Sequence, residues 1–194
     1  VTQPTIILRR ETISRGFGHV EKIVFRRRRS DGDMADLERE IMDAGDGVTI
    51  LPYDATRGTI ILIRQFRGVA FLREGREWIV EACAGKLEGA DAPTRVVKET
   101  EEECGIRLAG PARLLFTAYS TPGSFAERLS YFVAPYTSKD RVSAGGGLKE
   151  EDEDIEVIET TLDAALAMVD AGEIVDAKTI LLLYYARATG LMDA

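Results

Sequence analysis

Gly85-Lys86-Leu87-Glu88-Gly89-Ala90-Asp91, followed after six residues by Lys98-Glu99-Thr100-Glu101-Glu102-Glu103-Cys104-Gly105-Ile106, is the stretch that decides the fold. It runs from a glycine-led loop into a segment with helical boundaries. Asp91 can cap the start, Pro93 suits the first turn and Gly105 ends it, which predicts a helix over 94–104. On that helix Glu99, Glu102 and Glu103 lie one turn apart and share a face. Val96, Val97, Thr100 and Cys104 fall on a different face, suited to packing on a sheet. Like charges at this spacing repel one another. A divalent cation is a reason to tolerate them, because Mg2+ takes carboxylate oxygens, keeps several waters and is completed by substrate phosphates. Taken alone, the helix reads more simply as a solvated acidic face.

Working outward, β-branched runs at 48–51 and 59–63 predict two strands joined by the hairpin loop 53–58. Further strands are expected at 78–82, 113–118, 129–136 and 155–158. Helical spacing of Leu162, Ala165, Leu166 and Val169 predicts a helix stopped by Gly172, and Asp176 can cap a last one through about Ala188. The segment 138–149, with Gly145-Gly146-Gly147, reads as a mobile loop. The first ~45 residues differ in texture and read as a hairpin-rich appendage. Its run Arg26-Arg27-Arg28-Arg29 suits a solvated edge strand better than a phosphate site. The order of elements implies an α/β (α+β) fold, a mixed sheet between helices. Two regions are expected, 1–45 and 46–194.

The 194 residues carry 25 Lys and Arg against 33 Asp and Glu, a net charge of -8. That balance argues against a protein that coats nucleic acid or an anionic membrane. It does not argue against a small anionic substrate, since a bound metal inverts the local charge. Cys83 and Cys104 form no CxxC, and one histidine, His19, leaves no zinc set. A reduced cytoplasmic protein is the simplest reading. No basic start followed by an apolar stretch suggests a signal peptide. The longest apolar run, 180–186, is too short to span a bilayer.

The segment Gly85 to Ile106 resembles the Nudix box: Gly, five residues, Glu, seven residues, then Arg-Glu-apolar-x-Glu-Glu-x-Gly-apolar. Asp91 stands for the first Glu, Lys98 for the Arg and Thr100 for the apolar residue, and the spacer is one residue short. Glu99, Glu102, Glu103 and Gly105-Ile106 are intact. Together with Ile63-Arg64-Gln65-Phe66-Arg67, Glu81-Ala82-Cys83-Ala84-Gly85, Asp152-Glu153-Asp154-Ile155-Glu156-Val157 and Lys178-Thr179-Ile180-Leu181-Leu182-Leu183, the chain is similar to the bacterial GDP-mannose pyrophosphatases. These are Nudix hydrolases close to the ADP-ribose pyrophosphatases.

That resemblance implies a Nudix fold and metal-dependent hydrolysis of a nucleoside diphosphate sugar, with GDP-mannose leading and ADP-ribose the alternative. A non-catalytic nucleotide-sugar sensor is the reading from another class. The metal would be Mg2+, with Mn2+ the other candidate, and more than one ion. By the same resemblance the Ala84 carbonyl, Glu99 and Glu103 ligate metal, and Glu102 assists. Glu153 ligates metal or activates water. Glu127 is the other candidate base, so the catalytic set is Glu103, Glu127 and Glu153. Arg67 clamps phosphate, and Ala84, Gly85, Lys86, Glu103, Glu127, Asp152, Glu153 and Lys178 contact substrate. The N-terminal segment is expected to exchange within a homodimer, bringing Phe17, Glu38, Arg39 and Glu40 to the partner's substrate. Phe17 stands where the family aromatic carries a hydroxyl. Glu38 stands where the family has a basic residue, so it needs a cationic partner or a different ligand.

Overall fold

The structure, a computed structural model, describes residues 5–148, 150 and 153–193. The chain divides into two compact units. One holds the chain up to Asp46 together with Tyr119–Leu129, and the other holds Gly47–Ala118 and Ser130–Ala194.

The first unit is built on β1 (Ile6–Arg15), β2 (His19–Arg28) and β3 (Met34–Asp43), an antiparallel sheet in the order β1-β2-β3. Arg26, Arg27 and Arg28 of the arginine run therefore lie on the middle strand, not on an edge as the sequence suggested, and Arg29 follows it. β3 pairs with β2 along its whole length, from His19↔Asp43 to Arg28↔Met34. The register sets Arg26 opposite Asp36, and the two form a fork at 2.7 and 2.8 Å. The Met42 N–H donates to the Ser124 carbonyl at 2.8 Å and the Ala126 N–H to the Met42 carbonyl at 2.9 Å, which ties the segment after Tyr119 to this sheet.

The second unit contains β4 (Gly47–Asp54), β5 (Thr59–Phe66), α1 (Gly68–Glu74), β6 (Trp78–Glu81), β7 (Cys83–Lys86), α2 (Ala92–Cys104), β8 (Arg113–Tyr119), β9 (Arg128–Pro135), β10 (Ile155–Thr161), α3 (Leu162–Asp170) and α4 (Ala177–Ala188). The seven-stranded sheet runs β10-β5-β4-β9-β8, with β6 paired to β5 and β7 paired to β4. β4 and β5 hydrogen-bond only next to their turn, at Tyr53↔Ile60 and Asp54↔Thr59. Beyond that they splay. β6 then takes the free side of β5 through Ile63↔Glu81, and β7 takes β4 through Ile50↔Cys83 and Val48↔Gly85. The chain crosses the gap at Ala82, and this crossing positions the candidate site.

Strand alternation explains the layers. Val48, Ile50, Ile61 and Ile63 are fully buried and pack with Val96 and Cys104 of α2. Leu51, Ile60 and Leu62 project the opposite way and are equally buried. α4 packs over β4, and its Leu182, Leu183 and Ala186 are buried. Each such aliphatic side chain contributes roughly 1.5–3 kcal/mol. The expected α+β class, a sheet covered by helices on both faces, is thus what the sequence folds into.

Asp91 caps α2 by accepting from the Thr94 N–H at 3.0 Å, and Gly105 closes the helix in the left-handed region at φ 68°. Replacing Asp91 with Ala removes that acceptor. We expect a loss of about 1 kcal/mol in chemical denaturation, with turnover per folded molecule unchanged.

The glycine segment is a loop, as the sequence suggested, and its backbone is bonded to the end of α2. Gly146 N–H donates to the Glu103 carbonyl at 3.0 Å and Gly147 N–H to the Glu102 carbonyl at 3.1 Å. Val142 N–H donates to the Gly105 carbonyl at 2.9 Å. These bonds satisfy carbonyls left over at the end of a helix. They also bring the segment that follows onto the carboxylate end of α2. Lys149 and Asp152 lie outside the described residues.

Candidate active site

Two of the three box carboxylates are buried. Glu99 is 5% and Glu103 2% exposed, while Glu102 is half-buried. The face predicted to carry acid thus merges with the face that packs, because Val96, Glu99, Thr100 and Glu103 all turn inward. Each carboxylate meets the crossing strand. The Ala84 N–H donates to Glu103 Oε2 at 3.1 Å. Glu99 fills the space where Gly85 lacks a side chain: a Cβ there would stand 1.9 Å from Glu99 Oε1. Gly85 is therefore a steric requirement for Glu99.

Glu153 comes from the glycine-led segment. Its carboxylate accepts from the Leu148 N–H at 2.8 Å, and Gly147, at φ 77°, leaves room for it. A Cβ on Gly147 would stand 2.4 Å from Glu153 Oε2.

Burial pushes the Glu103 carboxyl up to about 8. Hydrogen bonds from Cys83 and from the Ala84 backbone oppose this, while the charges of Glu99 and Glu153 add to it. A buried carboxylate facing two others is the electrostatic situation that a divalent cation relieves. The donors are hard oxygens, as Mg2+ and Mn2+ prefer. Among the described residues, no three Asp, Glu, His or Cys side chains are grouped as a metal site by themselves.

The sequence reading missed Arg95. Its side chain is 10% exposed and pairs with Glu99 at 2.5 Å and with Glu88 at 3.4 Å. Charge spacing of i to i+4 was the available signal.

Two cations share the carboxylate of Glu81, at the end of β6. Arg67 sits just past β5 and its fork binds Glu81, Nε to Oε1 at 2.9 Å and Nη2 to Oε2 at 2.7 Å. Lys178 Nζ reaches Glu81 Oε2 at 3.1 Å and Asp176 at 3.0 Å. Burial pushes the Glu81 carboxyl up, but the Arg67 fork and the Lys178 charge more than offset it and hold it below its usual range. The fork expected to clamp phosphate is thus already engaged along one edge. Cys83 and Cys104 are free and buried, as packing residues are.

The GDP-mannose pyrophosphatase of Escherichia coli O139:H28 (strain E24377A / ETEC) is 40% identical to this chain over 195 residues, 100% of both chains. That of Shigella boydii serotype 4 (strain Sb227) matches to the same extent. The chain belongs to the GDP-mannose pyrophosphatase family of Nudix hydrolases. The crystal structure of an ADP compounds hydrolase aligns with TM-score 0.73 and 19% identity, covering 97% of this chain and 95% of that one, which is a likeness of fold. No family model matches the chain.

For a member of the GDP-mannose pyrophosphatase family, the remaining expected residues fall as follows. Ala84, Gly85 and Lys86 lie on β7 beside α2. Phe17 lies at the β1–β2 turn and is 83% exposed. Glu38, Arg39 and Glu40 lie on β3, in the first unit. Glu38 has the cationic partners its charge requires, Lys22 at 2.8 Å and Arg9 at 3.4 Å. Arg39 donates to the Glu38 carbonyl at 2.7 Å. Glu127, half-buried, also belongs to the first unit. Asp152 lies outside the described residues. Among the described residues no helix is long and apolar enough to cross a membrane.

Proposed function

We propose that this chain hydrolyses the diphosphate bond of a nucleoside diphosphate sugar in the cytoplasm, with GDP-mannose as the leading substrate and GMP and mannose 1-phosphate as products. The full-length identity to GDP-mannose pyrophosphatases carries this reading. Supporting it is the meeting of Glu99 and Glu103 with Gly85 and Ala84 on one strand.

In this reading the Ala84 carbonyl, Glu99, Glu103 and Glu153 hold Mg2+ or Mn2+, more than one ion in all, with Glu102 assisting. When bound, the metal neutralises phosphate oxygens and lowers the pKa of water. Arg67 and Lys178 bind the diphosphate, joined by Gly85, Lys86 and Asp152. The free edge of the Arg67 fork supplies two parallel donors to phosphate oxygens. Glu153 or Glu127 takes the proton from the water that attacks phosphorus.

The active form in this reading is a homodimer. β1 is exposed along its whole length and carries Ile6, Ile7, Leu8 and Ile13. An exposed apolar edge strand of this kind favours a partner. A second copy would receive Phe17, Glu38, Arg39 and Glu40 beside its substrate.

A second reading, ADP-ribose as the preferred substrate, is favoured by one observation. Glu38 is held by this chain's own Lys22 and Arg9, so the departure at that position is built into the sheet. The test is turnover of GDP-mannose, GDP-glucose, ADP-ribose, ADP-glucose and UDP-glucose with Mg2+, and with EDTA as control. GMP release from GDP-mannose at least ~10-fold faster than AMP release from ADP-ribose, abolished by EDTA, is expected. The reverse order would select the second reading. Binding without turnover would leave a sensor.

A further inference from the structure

We propose that Glu81 is a positioning residue: it sets the orientation of Arg67 and Lys178, the two cations that receive the diphosphate. This rests on the reading above, in which those two side chains contact substrate.

Glu81 ends β6, at the point where the chain leaves β5 to join β4. It is 3% exposed, and both of its oxygens are used. Oε1 accepts from Arg67 Nε at 2.9 Å, and Oε2 accepts from Arg67 Nη2 at 2.7 Å and Lys178 Nζ at 3.1 Å. A bidentate pair fixes the plane of a guanidinium as well as its place. It consumes two of the five N–H groups and leaves the other edge of the fork to a ligand. Lys178 is fixed in the same way between Glu81 and Asp176.

The same carboxylate is wired to the frame. The neighbouring Ala82 N–H donates to Thr179 Oγ1 at 2.6 Å, and that hydroxyl donates to Asp176 Oδ2 at 2.5 Å. The strand crossing, the start of α4 and both cations therefore form one bonded network. Two residues further along, the Ala84 N–H holds Glu103. Arg67 also feels the charge of Glu103.

Stability alone is a poor reason for this arrangement. Taking Glu81 out of water costs much of what its ion pairs return, and a buried apolar residue of similar volume would serve packing as well. What only a carboxylate supplies is one anchor that orders two flexible cations before substrate arrives, and such preorganisation lowers the entropic cost of binding.

The experiment compares wild type, Glu81→Gln, Arg67→Ala and the double variant by steady-state kinetics on GDP-mannose and ADP-ribose with Mg2+. Calorimetric binding of inorganic pyrophosphate gives the same comparison without turnover. Thermal unfolding is measured for each protein. Arg67→Ala is expected to raise KM at least ~10-fold. Glu81→Gln should raise KM about 10-fold with kcat within about threefold, and the double variant should be worse than Arg67→Ala by clearly less than the full Glu81→Gln effect, the remainder being the share carried by Lys178. Pyrophosphate affinity should fall in parallel. If Arg67→Ala weakens binding but Glu81→Gln does not, the positioning role is overturned and the phosphate reading stands. Independent, multiplicative effects overturn it too. If Arg67→Ala changes neither KM nor pyrophosphate affinity, the phosphate reading fails and takes the role with it. Should Glu81→Gln not fold, Glu81→Asp keeps the charge one methylene short, and an unchanged KM in that variant overturns the proposal.

Discussion

Replacing Glu103 with glutamine is expected to lower kcat by more than about 100-fold while the protein stays folded. Glutamine keeps the shape and an oxygen able to accept from the Ala84 N–H, so the contact at 3.1 Å survives. What is lost is the negative charge toward which the site is built. The variant also reports on the proton. Burial raises the Glu103 carboxyl from 4.5 to about 8, so the metal-free folded chain holds a proton that the unfolded chain has released. The stabilisation from that proton is complete below pH ~4.5 and disappears as pH rises through about 8. With EDTA present, wild type should therefore lose stability between pH 5 and 8, on the order of a few kcal/mol, and Glu103→Gln should not. Metal must displace that proton, so wild-type affinity for Mg2+ should rise over the same range. Calorimetry in EDTA at pH 6 and pH 8, beside kcat at saturating Mg2+, checks both. Near-wild-type turnover in the folded variant would assign Glu103 to structure alone.

The helix that carries Glu103 was the most legible element of the sequence. Local chemistry sets its ends, with Asp91 bonding Thr94 and Gly105 taking the left-handed turn. The strands at 48–51 and 59–63 were equally plain, since β-branched runs buried on both faces leave few alternatives. Elements held by tertiary pairing were not legible. β7 is Cys-Ala-Gly-Lys, which has no strand pattern, and it exists because β4 offers it a free edge after the splay. β3 reads Met-Ala-Asp-Leu-Glu-Arg-Glu-Ile-Met-Asp, poor in β-branched residues. It is a strand because its Asp36 and Glu38 find Arg26 and Lys22 across the ladder. The glycine run reads as loose for a similar reason. The carbonyls that hold it belong to the end of α2, some 40 residues earlier in the chain.

Within the site, residue types were legible and partnerships were not. The acidic face of α2 and the glycine before it point to a cation, and the structure brings Glu99, Glu103, Ala84 and Gly85 together. The sequence does not reveal that Glu99 shares its carboxylate with Arg95, or that Arg67 spends one edge of its fork on Glu81. Both pairings depend on a buried geometry that forms only when the strands splay. The positions of Phe17, Glu38, Arg39, Glu40 and Glu127 lie in the first unit, whose role at a neighbouring copy's substrate remains the proposal made above.

Gly85→Ala is expected to cost at least about 100-fold in kcat/KM, chiefly by displacing Glu99. Gly85 is paired in the sheet opposite Val48, and its backbone is open to any residue. The obstacle is space. The new carbon would stand 1.9 Å from Glu99 Oε1, 2.1 Å from its carboxyl carbon and 2.7 Å from Cγ. Neither side can yield cheaply. β7 is held by β4, and α2 is pinned by Val96, Thr100 and Cys104, all without exposure. Glu99 must therefore leave its pocket and break its pairing with Arg95, or the core must open. Overpacking of this kind costs about 1–3 kcal/mol. If Glu99 holds the metal as proposed, the Mg2+ concentration for half-maximal activity should rise at least ~10-fold, because its carboxylate is displaced. Adding Glu99→Asp to Gly85→Ala separates the two consequences. The shorter side chain relieves the clash, so thermal stability should recover while activity should not. If Gly85→Ala kept wild-type turnover and Mg2+ dependence, Glu99 would have no part in holding metal, and the cation would have to be carried by Glu103 and Glu153.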